Sequence, residues 1–263
     1  MRRGARVAAA LGVIAACGTS ASGKVISKTV EYRDGDVTLE GYLALDDVAR
    51  GPRPGVLVVH EWWGCNAFAH QKADELAGLG YVAFALDMYG KGKTTTERKQ
   101  ASEWSGQFYK DTALLRTRAL AGLKVLASQP GVDRGRIAAI GFCFGGTTVL
   151  NLALSGADLR AVVSFHGGLI PFKVDADKPV KAKILVCHGA DDPMIEAKAI
   201  GEFQATCRAA KADWQMVYYG NAVHSFTNPR AGAAGIAGVA YDEPAAKRSW
   251  QAMRALFDEV FAH

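Results

Sequence analysis

The stretch Arg136-Ile137-Ala138-Ala139-Ile140-Gly141-Phe142-Cys143-Phe144-Gly145-Gly146 decides the fold. Its first half is a short apolar run bounded by arginine and glycine, as expected for a strand buried on both faces. Its second half has the spacing Gly-x-nucleophile-x-Gly, a sharp turn from strand to helix in which the central residue stands exposed. Here that central residue is Cys143. Neighbours two residues before and after the centre crowd one another in such a turn, which accounts for Gly141 and Gly145. A helix opening at Phe144 would place the thiol at a helix N-terminus, where N–H groups and the macrodipole favour a thiolate. The Phe144 backbone N–H would point at the same site as an oxyanion donor.

Outward from this stretch the chain alternates between extended and helical periods. Residues 25–32 and 37–45 read as a hairpin around Asp34-Gly35. Strands are expected at 55–60, 81–86, 136–141, 161–165, 182–187 and 214–219. Helices are expected at 68–79, 144–155, 195–210 and 244–261. Residues 94–129 carry a long helical period broken near Gly106, which predicts two helices. The alternation predicts an α/β fold with a mostly parallel central sheet of about eight strands, helices on both faces and an N-terminal β-hairpin. In such sheets the chemistry sits on loops at the carboxyl ends of the strands.

The chain has 263 residues, 49% of them hydrophobic and 22% charged, which excludes a disordered, collagen-like or coiled-coil chain. The net charge is +5, and Arg2, Arg3 and Arg6 supply three of those charges. No basic cluster of the kind nucleic acid requires remains. Residues 1–23 run from basic, through apolar 7–16, to small and polar, the order of a bacterial secretory signal. Ile14-Ala15-Ala16-Cys17 resembles a lipobox, whose Cys17 would be acylated and anchor the chain to a membrane. Thr19-Ser20-Ala21 resembles an ordinary cleavage site, which would release a free periplasmic protein. Both readings leave residues 24–263 as one domain, exported in either case.

A cysteine nucleophile needs a base and an orienting acid, in chain order nucleophile, acid, histidine. His166 and His188 end strands inside apolar runs, where histidines are more often structural. His224 follows the last strand in a loop and is the better base. Asp192, in His188-Gly189-Ala190-Asp191-Asp192-Pro193, would orient its imidazole, with Asp191 as competitor. The spacing of His60, Glu61 and His70 is not that of a zinc motif, and no metal or organic cofactor is implied. Trp62, Trp63, Tyr89 and Phe144 are candidates for an apolar or aromatic pocket.

The chain resembles the dienelactone hydrolase family of the α/β-hydrolase fold from about Lys28 to the C-terminus. The resemblance is carried by His60-Glu61-Trp62-Trp63-Gly64, Leu86-Asp87-Met88-Tyr89-Gly90, Gly141-Phe142-Cys143-Phe144-Gly145-Gly146, and the surroundings of Asp192 and His224. It implies a triad of Cys143, Asp192 and His224, with Glu61 as a carboxylate that contacts the resting thiol. It also implies the Trp62 N–H as second oxyanion donor. Two arginines that hold the substrate carboxylate in the best-known diene-lactone enzymes correspond here to Lys91 and Asn228, with Arg230 near but displaced. Lysine supplies charge without a bidentate fork, and asparagine supplies no charge.

The expected activity is hydrolysis of a small ester or lactone through a thioester, by a monomer. The rival reading is a catalytically silent binding protein of the cell envelope. Thiol redox chemistry ranks below both, because there is no C-x-x-C. Of the five cysteines, Cys17 belongs to the export segment and Cys143 to the turn. Cys65, Cys187 and Cys207 remain, and a Cys187–Cys207 disulfide is a further expectation.

Overall fold

Unbroken apolar runs can be strands only if both of their faces are covered, and among the described residues six α-helices cover them. The computed structural model describes residues 23–48, 51–175 and 177–262. The elements in order are β1 (Val25–Asp34), β2 (Val37–Asp46), β3 (Arg53–Val59), α1 (Ala67–Gly78), β4 (Val82–Leu86), α2 (Arg98–Lys110) and α3 (Thr112–Ser128). Then come β5 (Val132–Phe142), α4 (Phe144–Leu154), β6 (Ala161–Phe165), β7 (Lys183–Gly189), α5 (Ala197–Ala209), β8 (Trp214–Tyr219), a 3-10 turn at Ala231–Ala234 and α6 (Glu243–Phe261). They build an eight-stranded sheet in the order β1-β2-β4-β3-β5-β6-β7-β8. The β1–β2 and β2–β4 pairs are antiparallel, and the rest are parallel. This is the α/β-hydrolase architecture, with the N-terminal hairpin closing on Gly35 at φ 57°.

Alternate residues of each strand feed two separate cores. Leu57, Phe84, Ala139, Val162 and Val186 pack with α2, α3, α4 and α5. Val58, Ala85, Ile140, Val163 and Leu185 pack with α1 and α6 on the other face. Because β3 and β5 are central, their ends meet in the middle of the carboxyl edge. That is where the elbow and the Glu61 loop emerge.

Two expectations are corrected. The long helical stretch breaks at Asp111 rather than at Gly106, which lies inside α2. Asp111 leaves helical dihedrals, and its carboxylate accepts from the N–H groups of Ala113 and Leu114, capping α3. The Cys187–Cys207 disulfide does not form: Cys187 points into the α1/α6 core and Cys207 into the opposite one. The sheet lies between them, and Cys65, Cys143, Cys187 and Cys207 are all free thiols. The export-signal reading, Cys17 included, lies outside the described residues.

Candidate active site

At the end of β5 the backbone of Cys143 turns to φ 53°, ψ −114°, a conformation that costs a non-glycine residue about 1–3 kcal/mol. The surroundings enforce it. A Cβ on Gly141 would lie 2.0 Å from the Gly145 carbonyl oxygen, and one on Gly145 would lie 2.2 Å from that of Val59. Glycine at both positions lets α4 start directly against β3. The Cys143 N–H donates to the Phe165 carbonyl at 3.0 Å and to His166 Nδ1 at 3.1 Å. Phe144 opens α4, its ring fully buried and its backbone N–H at the helix N-terminus.

His224 follows β8 on a loop stapled to residues 238–240. Its N–H donates to the Gly238 carbonyl, and its own carbonyl accepts from Ala240. The ring is buried, and Nδ1–H donates to Asp192 Oδ2 at 2.8 Å. The other oxygen of Asp192 accepts from the Met194 N–H at 2.9 Å. Asp191 is exposed and Asp192 buried, so of the two only Asp192 meets the imidazole. Burial alone would push His224 toward neutrality. The Cys143 thiolate and the Asp192 hydrogen bond outweigh it and raise the imidazolium to about 10.

Glu61 is buried on the loop after β3. Its Oε1 accepts from Ser225 Oγ at 3.1 Å and its Oε2 from Asn228 Nδ2 at 2.7 Å. Burial pushes its carboxyl up, while Asn228, Ser225 and the His224 charge work the other way. Both oxygens are therefore held by the His224 loop. Trp62 and Trp63 stand on the same loop and line the cavity. Tyr89, expected to contact substrate, lies instead beneath that loop, fully buried but for 3%, and donates its O–H to the Trp62 carbonyl at 3.0 Å. It positions the loop that carries the Trp62 N–H. Lys91 is a second correction: its ammonium pairs with Glu31 at 2.6 Å and Glu40 at 3.7 Å, away from the cavity wall. The cause is the Lys91 N–H donating to Thr38 O, which lays this segment over the β1–β2 hairpin.

Cys143, His224 and Glu61 open into a cavity of about 820 Å³. Several of its residues carry no readable signal in the sequence. Tyr109 reaches in from α2, its ring edge-on to Phe144 at 5.7 Å. Leu169 and Ile170 enter after β6, and Ile236 and Val239 enter from the stretch beyond the 3-10 turn. His166, read from the sequence as a structural histidine, braces the elbow from within the core. It is fully buried at φ 42°, and Nε2–H donates to Thr227 Oγ1 at 2.7 Å while Nδ1 accepts from Cys143. Burial and the neighbouring His224 charge hold it well below the usual imidazole range, so it stays neutral. Its signal was present as a histidine ending a strand, but its partner three residues past His224 was not foreseeable.

The sheet, the elbow at the end of β5 and the histidine after the last strand define an α/β-hydrolase. Residues 39–261 match the dienelactone hydrolase family, and the chain belongs to that family, whose members hydrolyse carboxylic esters and lactones. Among solved structures, a dienelactone hydrolase-like promiscuous phosphotriesterase, P91, from metagenomic libraries is similar at 45% identity and a TM-score of 0.87. That match covers 90% of this chain and 99% of P91. A Klebsiella pneumoniae protein named for dienelactone hydrolase activity is 27% identical with a TM-score of 0.73, over 89% and 98% of the two chains. A Yersinia pestis relative named for carboxymethylenebutenolidase activity is 28% identical over 197 residues, 72% of this chain and 74% of its own.

Proposed function

We propose that this enzyme hydrolyses a carboxylic ester or lactone through Cys143, His224 and Asp192. The observation that carries the reading is the Asp192–His224 hydrogen bond at 2.8 Å beside a thiol held at a strained elbow. The Cys143 thiolate attacks the carbonyl carbon, and the carbonyl electrons move onto oxygen. The N–H groups of Phe144 and Trp62 hold that oxyanion. Its collapse breaks the ester C–O bond, the alkoxide takes the imidazolium proton, and a thioester remains. Neutral His224 then takes a proton from water, which attacks the thioester. The second tetrahedral intermediate expels the thiolate and leaves the acid. Asp192 keeps the proton on Nδ1 throughout, so that Nε2 does the transfers. Glu61, fixed by Ser225 and Asn228, adds negative potential that steadies the imidazolium.

Hydrolysis of 4-nitrophenyl acetate by wild type and Cys143→Ala is the test. A mass increase of one acetyl group on Cys143 after rapid quench supports the thioester. Equal rates in the two proteins sink it, and the absence of turnover above background in both leaves the silent binding protein. The 45% identity to a promiscuous phosphotriesterase favours a second substrate for the same thiolate, and an aryl phosphotriester belongs in the assay. We further propose that residues 1–23 export the enzyme to the periplasm, as a free protein or through a lipid on Cys17. The mass of the mature N-terminus decides between them.

A further inference from the structure

The cavity has two walls, because Cys143 stands at the end of a central strand. On one side the segments after β6 and β7 contribute Leu169, Ile170, Met194 and Ile195, and α5 contributes Ala199. On the other, the loops after β3 and β4 contribute Trp62, Trp63, Thr95 and Thr96. The segment past the 3-10 turn adds Ile236 and Val239. An ester attacked at Cys143 must send its acyl part and its alkoxy part in different directions, and each direction meets a largely apolar wall.

Charge separates this cavity from one built for an anion. The charged residues on its wall, apart from the Cys143–His224 pair, are Glu61, Glu196 and Arg230. Glu61 is buried beside the reaction centre, while Arg230 is exposed at the rim. Lys91 is bound to Glu31 and Glu40 outside the cavity. Asn228, which is uncharged, already donates one of its amide N–H groups to Glu61 at 2.7 Å. Apart from His224 at the reaction centre the cavity wall carries no buried cation, so a carboxylate at the far end of the acyl or alkoxy group would be taken out of water unpaired.

The geometry points to an uncharged ester with apolar groups on both sides of the carbonyl as the substrate class, with carboxylate-bearing esters and lactones disfavoured. This inference rests on the hydrolase reading above and narrows its substrate. Each methylene added to the acyl chain raises kcat/KM by up to about fourfold until the wall is filled. A terminal carboxylate lowers it on the order of ten- to thirtyfold, because an apolar wall strips its water and supplies no partner.

The test uses two esters that differ only at the acyl end, 4-nitrophenyl pentanoate and mono-4-nitrophenyl glutarate, assayed with wild type and Arg230→Gln. Preference for pentanoate, kept in Arg230→Gln, supports the inference. Equal rates, or a preference for glutarate that Arg230→Gln abolishes, overturn it. If neither ester is cleaved, the hydrolase reading fails separately. Selectivity is then read from protection of Cys143 against iodoacetamide by an alkyl trifluoromethyl ketone and its ω-carboxylate counterpart. Protection by the alkyl ketone alone supports the inference, and equal or better protection by the carboxylate overturns it.

Discussion

His224 must be an acid in one half of the proposed cycle and a base in the other. The charge on Cys143 accomplishes the switch, because the thiolate is the leading cause that raises the imidazolium to about 10. In the proposed cycle acylation removes that charge and leaves burial opposed by Asp192 alone, which moves the ring toward the neutral form that deacylation requires. Cys143→Ala should therefore lower the His224 pKa, read by NMR titration of the ring protons. An unchanged value would mean that Asp192 alone sets it. Folding strengthens this base, so the associated stabilisation is complete below the ordinary imidazole value of 6.5 and is lost as pH rises through about 10. Thermal stability of the wild type should fall over that alkaline range more steeply than that of Cys143→Ala. His166 acts one step away, tying the Cys143 N–H to Thr227 on the His224 loop. In His166→Leu, the loss of two buried hydrogen bonds should lower kcat about tenfold with KM nearly unchanged. A lowered Tm with unchanged kcat would leave His166 a structural residue only.

Among the elements, the glycines of the elbow and of α2 look alike in sequence and behave in opposite ways. Gly145→Ala drives a Cβ to 2.2 Å from backbone at Val59, where nothing flexible can yield. Gly106 lies inside α2 with no atom within 4 Å of its missing Cβ. Gly106→Ala should stabilise the protein by about 0.5–1 kcal/mol through helix propensity. Calorimetry of the two variants should show a raised Tm for Gly106→Ala and a large loss for Gly145→Ala. The contrast also explains what was legible. Buried strands announce themselves by unbroken apolar runs, and the elbow by glycine spacing, so β3 to β8 and Cys143 could be read directly. The break between α2 and α3 was misplaced because a solvent-facing glycine mimics a helix end, whereas the capping carboxylate of Asp111 makes the real one. Asp192 and His224 were readable because each follows a strand. Ser225, Thr227 and Asn228 were not, since their roles exist only once the topology brings the Glu61 loop and His166 against them. The stretch around the 3-10 turn has no periodicity, and its place comes from pairing with His224 and from the Arg98 guanidinium donating to the Ala234 and Gly235 carbonyls.

At the scale of the whole molecule, the sheet sorts the cysteines more firmly than sequence spacing can. Cys187 and Cys207 lie on opposite faces, so no side-chain rotation joins them, and the two cores would have to come apart before a disulfide formed. Burial pushes both thiols up to about 12 and raises that of Cys65 as well. Cys143 differs from all three: it lines the cavity and faces an imidazolium. In the proposed periplasmic setting, an oxidant would meet buried thiols at Cys187 and Cys207 and the cavity-lining thiol at Cys143. Iodoacetamide on the native protein should modify Cys143 first and the others only on unfolding. Denaturation without reductant should then render Cys65, Cys187 and Cys207 reactive as well, counted by peptide mass spectrometry. If Cys187 and Cys207 both stay unlabelled until a reductant is added, they are bridged and their placement across the sheet is wrong.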